Sequence, residues 1–161
     1  MILVFARQAA VAAGVVLLAG CSFASPATFT VSNASVDPSY TCPAGANNSK
    51  YDLRGTIDAN NSTSNAVTVT TIDATMTLAS VKGPWLQKVG DKYDAGNVTF
   101  TPSSVGASAK ATLVVTVPSA CTGRSPNAPV ASGDYAVTFT VKTSAGTFKL
   151  DSKEKHRILT G

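Results

Sequence analysis

The stretch from Gly133 to Lys142, Gly-Asp-Tyr-Ala-Val-Thr-Phe-Thr-Val-Lys, decides the fold class of this chain. Large apolar side chains occupy every second position, and smaller or polar residues occupy the positions between them. A period of two is typical of a β-strand with one buried face. The pattern therefore predicts a strand over residues 134–142 whose inward side chains are Tyr135, Val137, Phe139 and Val141.

The same alternation recurs on both sides of this stretch and is separated by turn-forming residues. Thr and Val are frequent in these segments, as expected for strands. A change of phase near Thr70 and Thr71, with no turn residue between, predicts a β-bulge. The other predicted strands are residues 28–36, 51–58, 66–79, 97–101, 108–117 and a strand that begins at 147. Seven short strands joined by turns predict an all-β, seven-stranded antiparallel sandwich.

The segment Gly133 to Phe139 resembles the opening of the sixth strand, strand F, of immunoglobulin-like domains. In those domains a tyrosine at this place turns its hydroxyl back onto nearby backbone, and the resemblance implies that role for Tyr135. The predicted third strand has no tryptophan, and Cys42 and Cys121 fall in predicted loops. The resemblance, over residues 28–151, is therefore to the broad immunoglobulin-like and fibronectin-like group rather than to antibody domains.

The beginning of the chain has a different character. An apolar run of twelve residues extends from Ala9 to Gly20 and follows a single cation, Arg7. A membrane-spanning helix needs about 20 apolar residues, so this run is too short to span and has the length of the apolar part of a signal peptide. Its last residues, Leu18-Ala19-Gly20, directly precede Cys21.

This arrangement resembles the lipobox of bacterial lipoprotein precursors. The resemblance implies a signal-peptide helix over residues 1–20 and a lipidated Cys21 that begins a tether over 21–27. The sandwich domain, with a basic tail, is then expected over 28–161. The resemblance also implies anchoring to a bacterial cell membrane, facing the periplasm or the cell exterior, because two or more acyl chains hold a protein stably. The alternative is an ordinary secretory signal that is cut later, after Ala24 or Ala27.

If Cys21 carries lipid, the chain has two cysteines left. The lipoprotein resemblance then implies a disulfide between Cys42 and Cys121, because export places them in an oxidising compartment. The predicted topology agrees, since the loops that hold them, between the first and second strands and between the fifth and sixth, lie at the same pole of a sandwich. A catalytic thiol paired with His156 is the alternative, although no catalytic signature surrounds either cysteine.

Composition and motifs exclude several function classes. The formal charge is +4, and without Arg7 there are 12 basic and 9 acidic residues, a balance of +3 that does not indicate nucleic-acid binding. No phosphate-binding glycine pattern occurs, and His156, the only histidine, is expected to be a solvated residue of the basic tail. Asp91, Asp94 and Asn97 fit a polar loop better than a calcium site. We therefore expect no cofactor, no metal and no catalytic residue.

Binding residues are expected in the long loops at the predicted disulfide end. The candidates are Trp85, Tyr93, Lys88, Lys92 and Arg124. Trp85 has two interpretations: an exposed aromatic platform, or a plug that closes the sandwich with its indole N–H bonded to an oxygen. The second is favoured because tryptophan is usually largely buried.

The sequence therefore predicts a lipid-anchored, non-catalytic binding or structural module of the bacterial cell envelope. The expected partner, besides the membrane reached through Cys21, is an envelope protein or an acidic polysaccharide. Two alternatives remain: a carbohydrate-binding or adhesin domain, and a secreted enzyme inhibitor that uses its proline-rich loop after Cys121.

Overall fold

A computed structural model describes residues 27–46, 48–96, 98–121 and 129–160 of the chain. All regular secondary structure in these segments is β, arranged in eleven strands. Within these segments there is also no helix that is long and apolar enough to cross a membrane. The predicted all-β class is confirmed, whereas residues 1–20, where a signal-peptide helix is predicted, lie outside the described segments.

The strands differ widely in length, from two to sixteen residues. In chain order they are β1 (Phe29–Val36), β2 (Ser39–Cys42), β3 (Lys50–Asn61), β4 (Val67–Lys82), β5 (Lys92–Asp94), β6 (Thr99–Thr101), β7 (Ser104–Val105), β8 (Ala109–Ala120), β9 (Ser132–Thr143), β10 (Gly146–Asp151) and β11 (His156–Thr160).

Two sheets face each other across the core. The first sheet has the order β1-β3-β8-β6, and the second has the order β2-β11-β9-β4-β5, with β10 also paired to β9 and β7 to β4. The alternation seen in the sequence places every second side chain of β9 in the core, including Phe139 and Val141, which are fully buried. The strand order is that of an immunoglobulin-like sandwich.

Four strands are additional to the predicted seven, and two of them, β2 and β11, follow the first and last predicted strands. After β1, Pro38 interrupts the ladder because proline has no backbone N–H to donate. The chain then crosses to the other sheet as β2, which pairs in parallel with β11. The last predicted strand is β10, and β11 follows it, both along β9. The short strands β5 and β7 were also not predicted from the sequence.

The predicted bulge in β4 is confirmed. The pairing of β4 with β9 shifts register between Val69 and Thr71, and shifts once more between Leu78 and Ser80. These irregularities let both halves of a sixteen-residue strand keep apolar side chains inward although the sequence changes phase.

The two poles of the sandwich differ in what they carry. At one pole, the entry pole, the described chain begins, and the Thr28 N–H donates to Ser62 Oγ at 2.8 Å. At the other, the disulfide pole, lie Cys42, Cys121 and the last described residue, Thr160, whose N–H bonds the Ala131 carbonyl at 3.0 Å. β3 runs between the poles over twelve residues, which corresponds to about 36 Å.

Candidate functional site: the disulfide pole

The disulfide links the two sheets at this pole. Cys42 is the last residue of β2 and Cys121 follows β8 directly, and their Sγ atoms are bonded with the Cα atoms 5.8 Å apart. Both residues are buried. The predicted bridge and the shared pole are therefore confirmed, but Cys42 ends a strand instead of lying in a loop.

Trp85 is a partly buried plug whose indole is hydrogen-bonded. Its Nε1–H donates to the Tyr135 hydroxyl at 3.2 Å, and its ring lies over Gly133, where an added Cβ would come within 2.8 Å of the indole carbons. Burial raises the pKa of Tyr135, so its hydroxyl stays protonated at neutral pH and can donate in turn. The interpretation of Trp85 as an exposed platform is not supported.

The role predicted for Tyr135 requires a correction. Its hydroxyl was expected to return to nearby backbone, but its hydrogen-bond partners are the side chains of Trp85 and, at 3.5 Å, Gln87 Oε1. The long connection after β4 folds over the end of β9 and places the Trp85 indole N–H beside the Tyr135 hydroxyl. The hydroxyl therefore bonds side chains instead of backbone.

The connection between β4 and β5 is held in place by hydrogen bonds within the loop and by hydrogen bonds to β4. Asp91 Oδ2 accepts from the Lys88 N–H at 2.8 Å, and the Asp91 N–H bonds the Lys88 carbonyl at 2.9 Å. The Gly90 N–H bonds the Leu78 carbonyl of β4 at 2.8 Å. A segment fixed in this way presents its outward side chains in a defined arrangement.

Those outward side chains are apolar and basic. Leu86 is 73 % exposed and Val89 is 59 % exposed, and Lys88 lies between them in the sequence. Lys92 and Tyr93 follow in β5, and both are exposed. Sequence reasoning found the lysines and Tyr93 but missed Leu86 and Val89, although two aliphatic residues within a predicted polar connection were a usable signal.

A cavity of about 260 Å³ opens beside Tyr93, between the two sheets. Its walls come from β4, β5, the end of β8, β9 and β11, together with the connection after β4. The lining side chains include Met76, Gln87, Lys92, Tyr93, Ser119 and Ile158.

The cavity exists because two edge strands are short. β5 pairs only with Thr75–Thr77 of β4, and β6 pairs only with Val114–Thr116 of β8. Tyr93 lies opposite Met76 in the ladder and shares its inward face, yet Tyr93 remains 45 % exposed whereas Met76 is buried. The corner between β5 and the end of β8 is thus left open.

His156 requires the second correction. It was expected to be a solvated tail residue, but it is the first residue of β11 and only 1 % exposed. Its Nδ1 lies 2.7 Å from the Asp37 carbonyl and its Nε2 lies 3.0 Å from the Tyr51 hydroxyl. A carbonyl only accepts, so Nδ1 carries the proton and Nε2 accepts from Tyr51. Burial lowers the pKa of His156.

The basic tail is part of the sheet. Arg157 is paired with Asp134 through its Nε at 2.6 Å, and this contact, together with the Ser80 hydroxyl, lowers the pKa of the Asp134 carboxyl. β11 is held between β2 and β9 at the disulfide pole, so residues that were expected to form a basic tail are part of the second sheet.

Two of the predicted site residues, Cys21 and Arg124, lie outside the described residues, as does Asn97. Of the carboxylates considered for calcium, Asp91 bonds the backbone of its own loop and Asp94 Oδ1 accepts from the Thr75 hydroxyl at 2.8 Å. In the described part of the chain, no group of three or more His, Cys, Asp or Glu residues is placed to hold a metal ion.

Comparison with known proteins gives only distant likenesses. No family model matches the chain, and no curated protein matches it. Among solved structures, the PapD-like domain 7 of human CEP192 is 14 % identical, with 92 % of this chain and 95 % of that chain covered and a TM-score of 0.35.

Two of the other similar structures come from Escherichia coli. AggA, the major subunit of aggregative adherence fimbriae type I, is 10 % identical with a TM-score of 0.32, over 83 % of this chain and 95 % of that one. The CooA pilin subunit of an enterotoxigenic strain is 14 % identical with a TM-score of 0.32, over 81 % and 98 %. At these scores no function is transferred, and the chain is defined by its own topology: an all-β, immunoglobulin-like sandwich with one inter-sheet disulfide.

Proposed function

We propose that this protein is a lipid-anchored, non-catalytic binding module of the bacterial cell envelope, and that the disulfide pole is its interaction surface. The anchor rests on the lipobox resemblance at Leu18–Cys21. The orientation rests on one structural observation, the placement of the two poles. It supports the proposal because the chain enters the sandwich at the pole opposite the long connections.

A short tether would hold the entry pole near the membrane. Residues 22–27 reach at most about 20 Å when extended, and Thr28 is already hydrogen-bonded to Ser62 at the entry pole. The disulfide pole, about 36 Å further along β3, would then project away from the bilayer. Binding residues tend to lie on loops carried by a rigid scaffold, and the β4–β5 connection is such a loop.

The exposed side chains of this pole favour a protein partner with acidic groups. Leu86 and Val89 offer apolar contact area, and Lys88 and Lys92 are exposed cations beside them. Charged side chains around an apolar centre steer association and fix register more than they add affinity. We expect these four residues to contribute to binding through the two apolar contacts and to specificity through the two lysines.

The titratable groups with shifted pKa values take part in structural contacts, which supports a non-catalytic role. His156 holds β11 to Asp37 and Tyr51, and Asp134 holds Arg157 within the same sheet. An active site instead combines such groups in a cleft where substrate can reach them.

Carbohydrate binding is the second candidate, and the exposed ring of Tyr93 beside the cavity favours it. Gln87 and Asp91 also line this cavity and offer hydrogen-bonding groups to a sugar. Binding of soluble envelope polysaccharide fragments that is abolished by Tyr93→Ala, with no protein partner captured, would favour this candidate over the first.

The test is affinity capture from the native envelope with a loop variant and a control variant that changes three exposed residues elsewhere. The loop variant carries Leu86→Ser, Lys88→Ser and Val89→Ser. The control carries Val114→Ser, Lys110→Ser and Lys149→Ser, which change one exposed aliphatic residue and two exposed lysines away from this pole. We expect the loop variant to lose its partner and the control to keep it. Thermal unfolding should show that both variants are folded. Retention of the partner by the loop variant would place the interaction surface elsewhere.

A further inference from the structure

The outer edge of β8 lacks a neighbouring strand beside the cavity. β8 pairs along its whole length with β3 on one side, but on the other side β6 covers only Val114–Thr116. No described strand pairs with residues 117–120 on that side. A strand edge of this kind presents unpaired backbone groups that can pair with another chain.

The direction of these backbone groups follows from two observations. The Cys121 N–H donates to the Ser49 carbonyl on the β3 side at 2.8 Å. Backbone groups alternate sides along a strand, so the N–H and C=O of Ala120, one residue earlier, face away from β3. Pro118 has the same orientation as Ala120, which agrees with the rule that proline in a sheet places its nitrogen on the unpaired side. The outer edge therefore offers the Pro118 carbonyl and both backbone groups of Ala120.

The cavity adjoins this edge and lies on the inward face of the sheet. Ser119 is buried, points into the sandwich and lines the cavity, together with Met76, Tyr93 and Ile158. A strand placed against the outer edge of β8 would direct the side chain opposite Ser119 inward, because neighbouring strands share their inward and outward positions. A volume of about 260 Å³ is slightly below the usual range for small-molecule pockets and suits one large apolar side chain.

We propose that this corner binds an extended segment of a partner protein, which adds a short strand to β8 at residues 117–120 and inserts one large apolar side chain into the cavity. Of the two charged side chains in the lining, Asp91 accepts from the Lys88 N–H and Lys92 is exposed, so Lys92 favours an acidic residue next to the inserted side chain. This mode is the addition of a strand to a sheet edge, in which main-chain hydrogen bonds give affinity and a side-chain pocket gives specificity. The inference rests on the proposed function and names the partner's chemistry.

A peptide is favoured over a sugar for a structural reason. The open groups beside the cavity are one backbone N–H and two backbone carbonyls at strand spacing, and the apolar walls of the cavity include Met76, Ile158 and the ring of Tyr93. A sugar would leave these walls in contact with hydroxyl groups, whereas an aliphatic or aromatic side chain would bury them.

Two proline substitutions provide a matched pair for the test. Ala120→Pro removes the single outward N–H at the cavity and leaves the β3 ladder intact. Lys110→Pro removes an outward N–H of the same parity at the other end of β8, opposite Asn60, far from the cavity. Tyr93→Ala removes one wall of the cavity at an exposed position.

The experiment pans a random twelve-residue peptide library on phage against the full-length protein in detergent. We expect selected peptides to contain a large apolar residue next to an acidic one, and to protect the Ala120 amide from hydrogen exchange. Their affinity should fall at least tenfold for Ala120→Pro and for Tyr93→Ala, and stay within twofold for Lys110→Pro.

Three outcomes would overturn the inference. The first is that panning selects no peptide, and the second is that selected peptides bind Ala120→Pro as well as wild type. The third is a concentration-dependent dimer that Ala120→Pro abolishes, because the occupant would then be a second copy of this chain. If one of these outcomes occurs but the Leu86/Lys88/Val89 loop variant still loses its envelope partner, the proposed function is supported and only this binding mode is excluded.

Discussion

The Tyr51 hydroxyl donates to Nε2 of the buried His156 imidazole at 3.0 Å, across 105 positions of the chain. The Tyr51 ring also stacks on Tyr40, with centroids 4.0 Å apart. Tyr40 belongs to β2, Tyr51 to β3 and His156 to β11, so the contact joins both sheets where the chain changes sheet after β1. Burial raises the pKa of Tyr51 to about 12, so Tyr51 remains a donor over the physiological range.

This contact predicts a loss of stability in mild acid. The folded-state pKa of His156 lies below its unfolded value of about 6.5 because burial disfavours the charged ring. The unfolded chain therefore binds the proton more readily, and the associated stability is complete above pH 6.5 and is lost as the pH falls from there toward the folded pKa. We expect the free energy of unfolding to decrease by up to about 1.4 kcal/mol per pH unit in that window.

Urea unfolding between pH 7.5 and 5 measures this effect. His156 is the only histidine, so His156→Leu removes the imidazole titration entirely and serves as the control. Its unfolding free energy should be nearly constant over this range, although lower than that of wild type at pH 7.5. An equal pH slope in both proteins would contradict the assignment. Loss of the Asp134–Arg157 contact belongs to a lower range, since the pKa of Asp134 is already below its usual value near 3.8.

The second prediction concerns Gly133 and Trp85. A Cβ at position 133 would lie 2.8 Å from two indole carbons and 3.1 Å from Leu78 Cδ1. We expect Gly133→Ala to lower the free energy of unfolding by about 1–3 kcal/mol through overpacking. In a Trp85→Ala background the same change should cost much less, because the main clash is absent.

A double-mutant cycle by chemical denaturation checks this coupling. Additive effects of the two substitutions would show that the indole does not cover Gly133, and the plug interpretation of Trp85 would fail. Gly106→Ala is a useful control, since its nearest neighbour to an added Cβ is the Ala109 methyl at an ordinary 3.7 Å.

The third prediction concerns the bridge. Cys42 and Cys121 are 79 positions apart, and the chain-entropy model gives about 4–5 kcal/mol for closing a loop of that length. We expect Cys42→Ala/Cys121→Ala to unfold at a markedly lower denaturant midpoint. Mass spectrometry of non-reduced peptides should recover the Cys42–Cys121 pair from the exported wild-type protein. Recovery of two free thiols would show that the bridge does not form in the cell.

The sequence predicted the central strands well because a buried face imposes a period of two. The strand over 134–142 became β9, Ser132–Thr143, with all four inward residues buried. The change of sheet at Pro38 was not predictable in this way, since β2 is four residues long and its partner β11 lies at the other end of the chain.

The candidate site was predicted in part, for a related reason. Local composition marked Lys88, Lys92 and Tyr93, which are exposed as expected. The burial of His156 depends on Tyr51 and Asp37, which are distant in sequence, and its charged neighbours Lys155 and Arg157 suggested solvent instead. The cavity depends on how far β5 and β6 extend, and strand ends are the least regular part of the pattern.

The last prediction concerns Cys21, on which the anchored orientation depends. If Cys21 carries a diacylglyceryl group on its sulfur, Cys21→Ser removes the acceptor atom, because serine has no thiol. Two acyl chains hold a protein at a bilayer stably, whereas one gives only marginal binding. We expect wild type to enter the detergent phase after Triton X-114 separation, and Cys21→Ser to remain uncut at the membrane or to appear in the aqueous phase. The mass of the mature wild-type amino terminus should include the lipid, and Ser22→Ala, next to the acceptor, should partition as wild type does.

Lipidation would be contradicted if a processed Cys21→Ser protein entered the detergent phase as fully as wild type. In that case nothing would hold the entry pole near the membrane, and the outward orientation of the disulfide pole would lose its support.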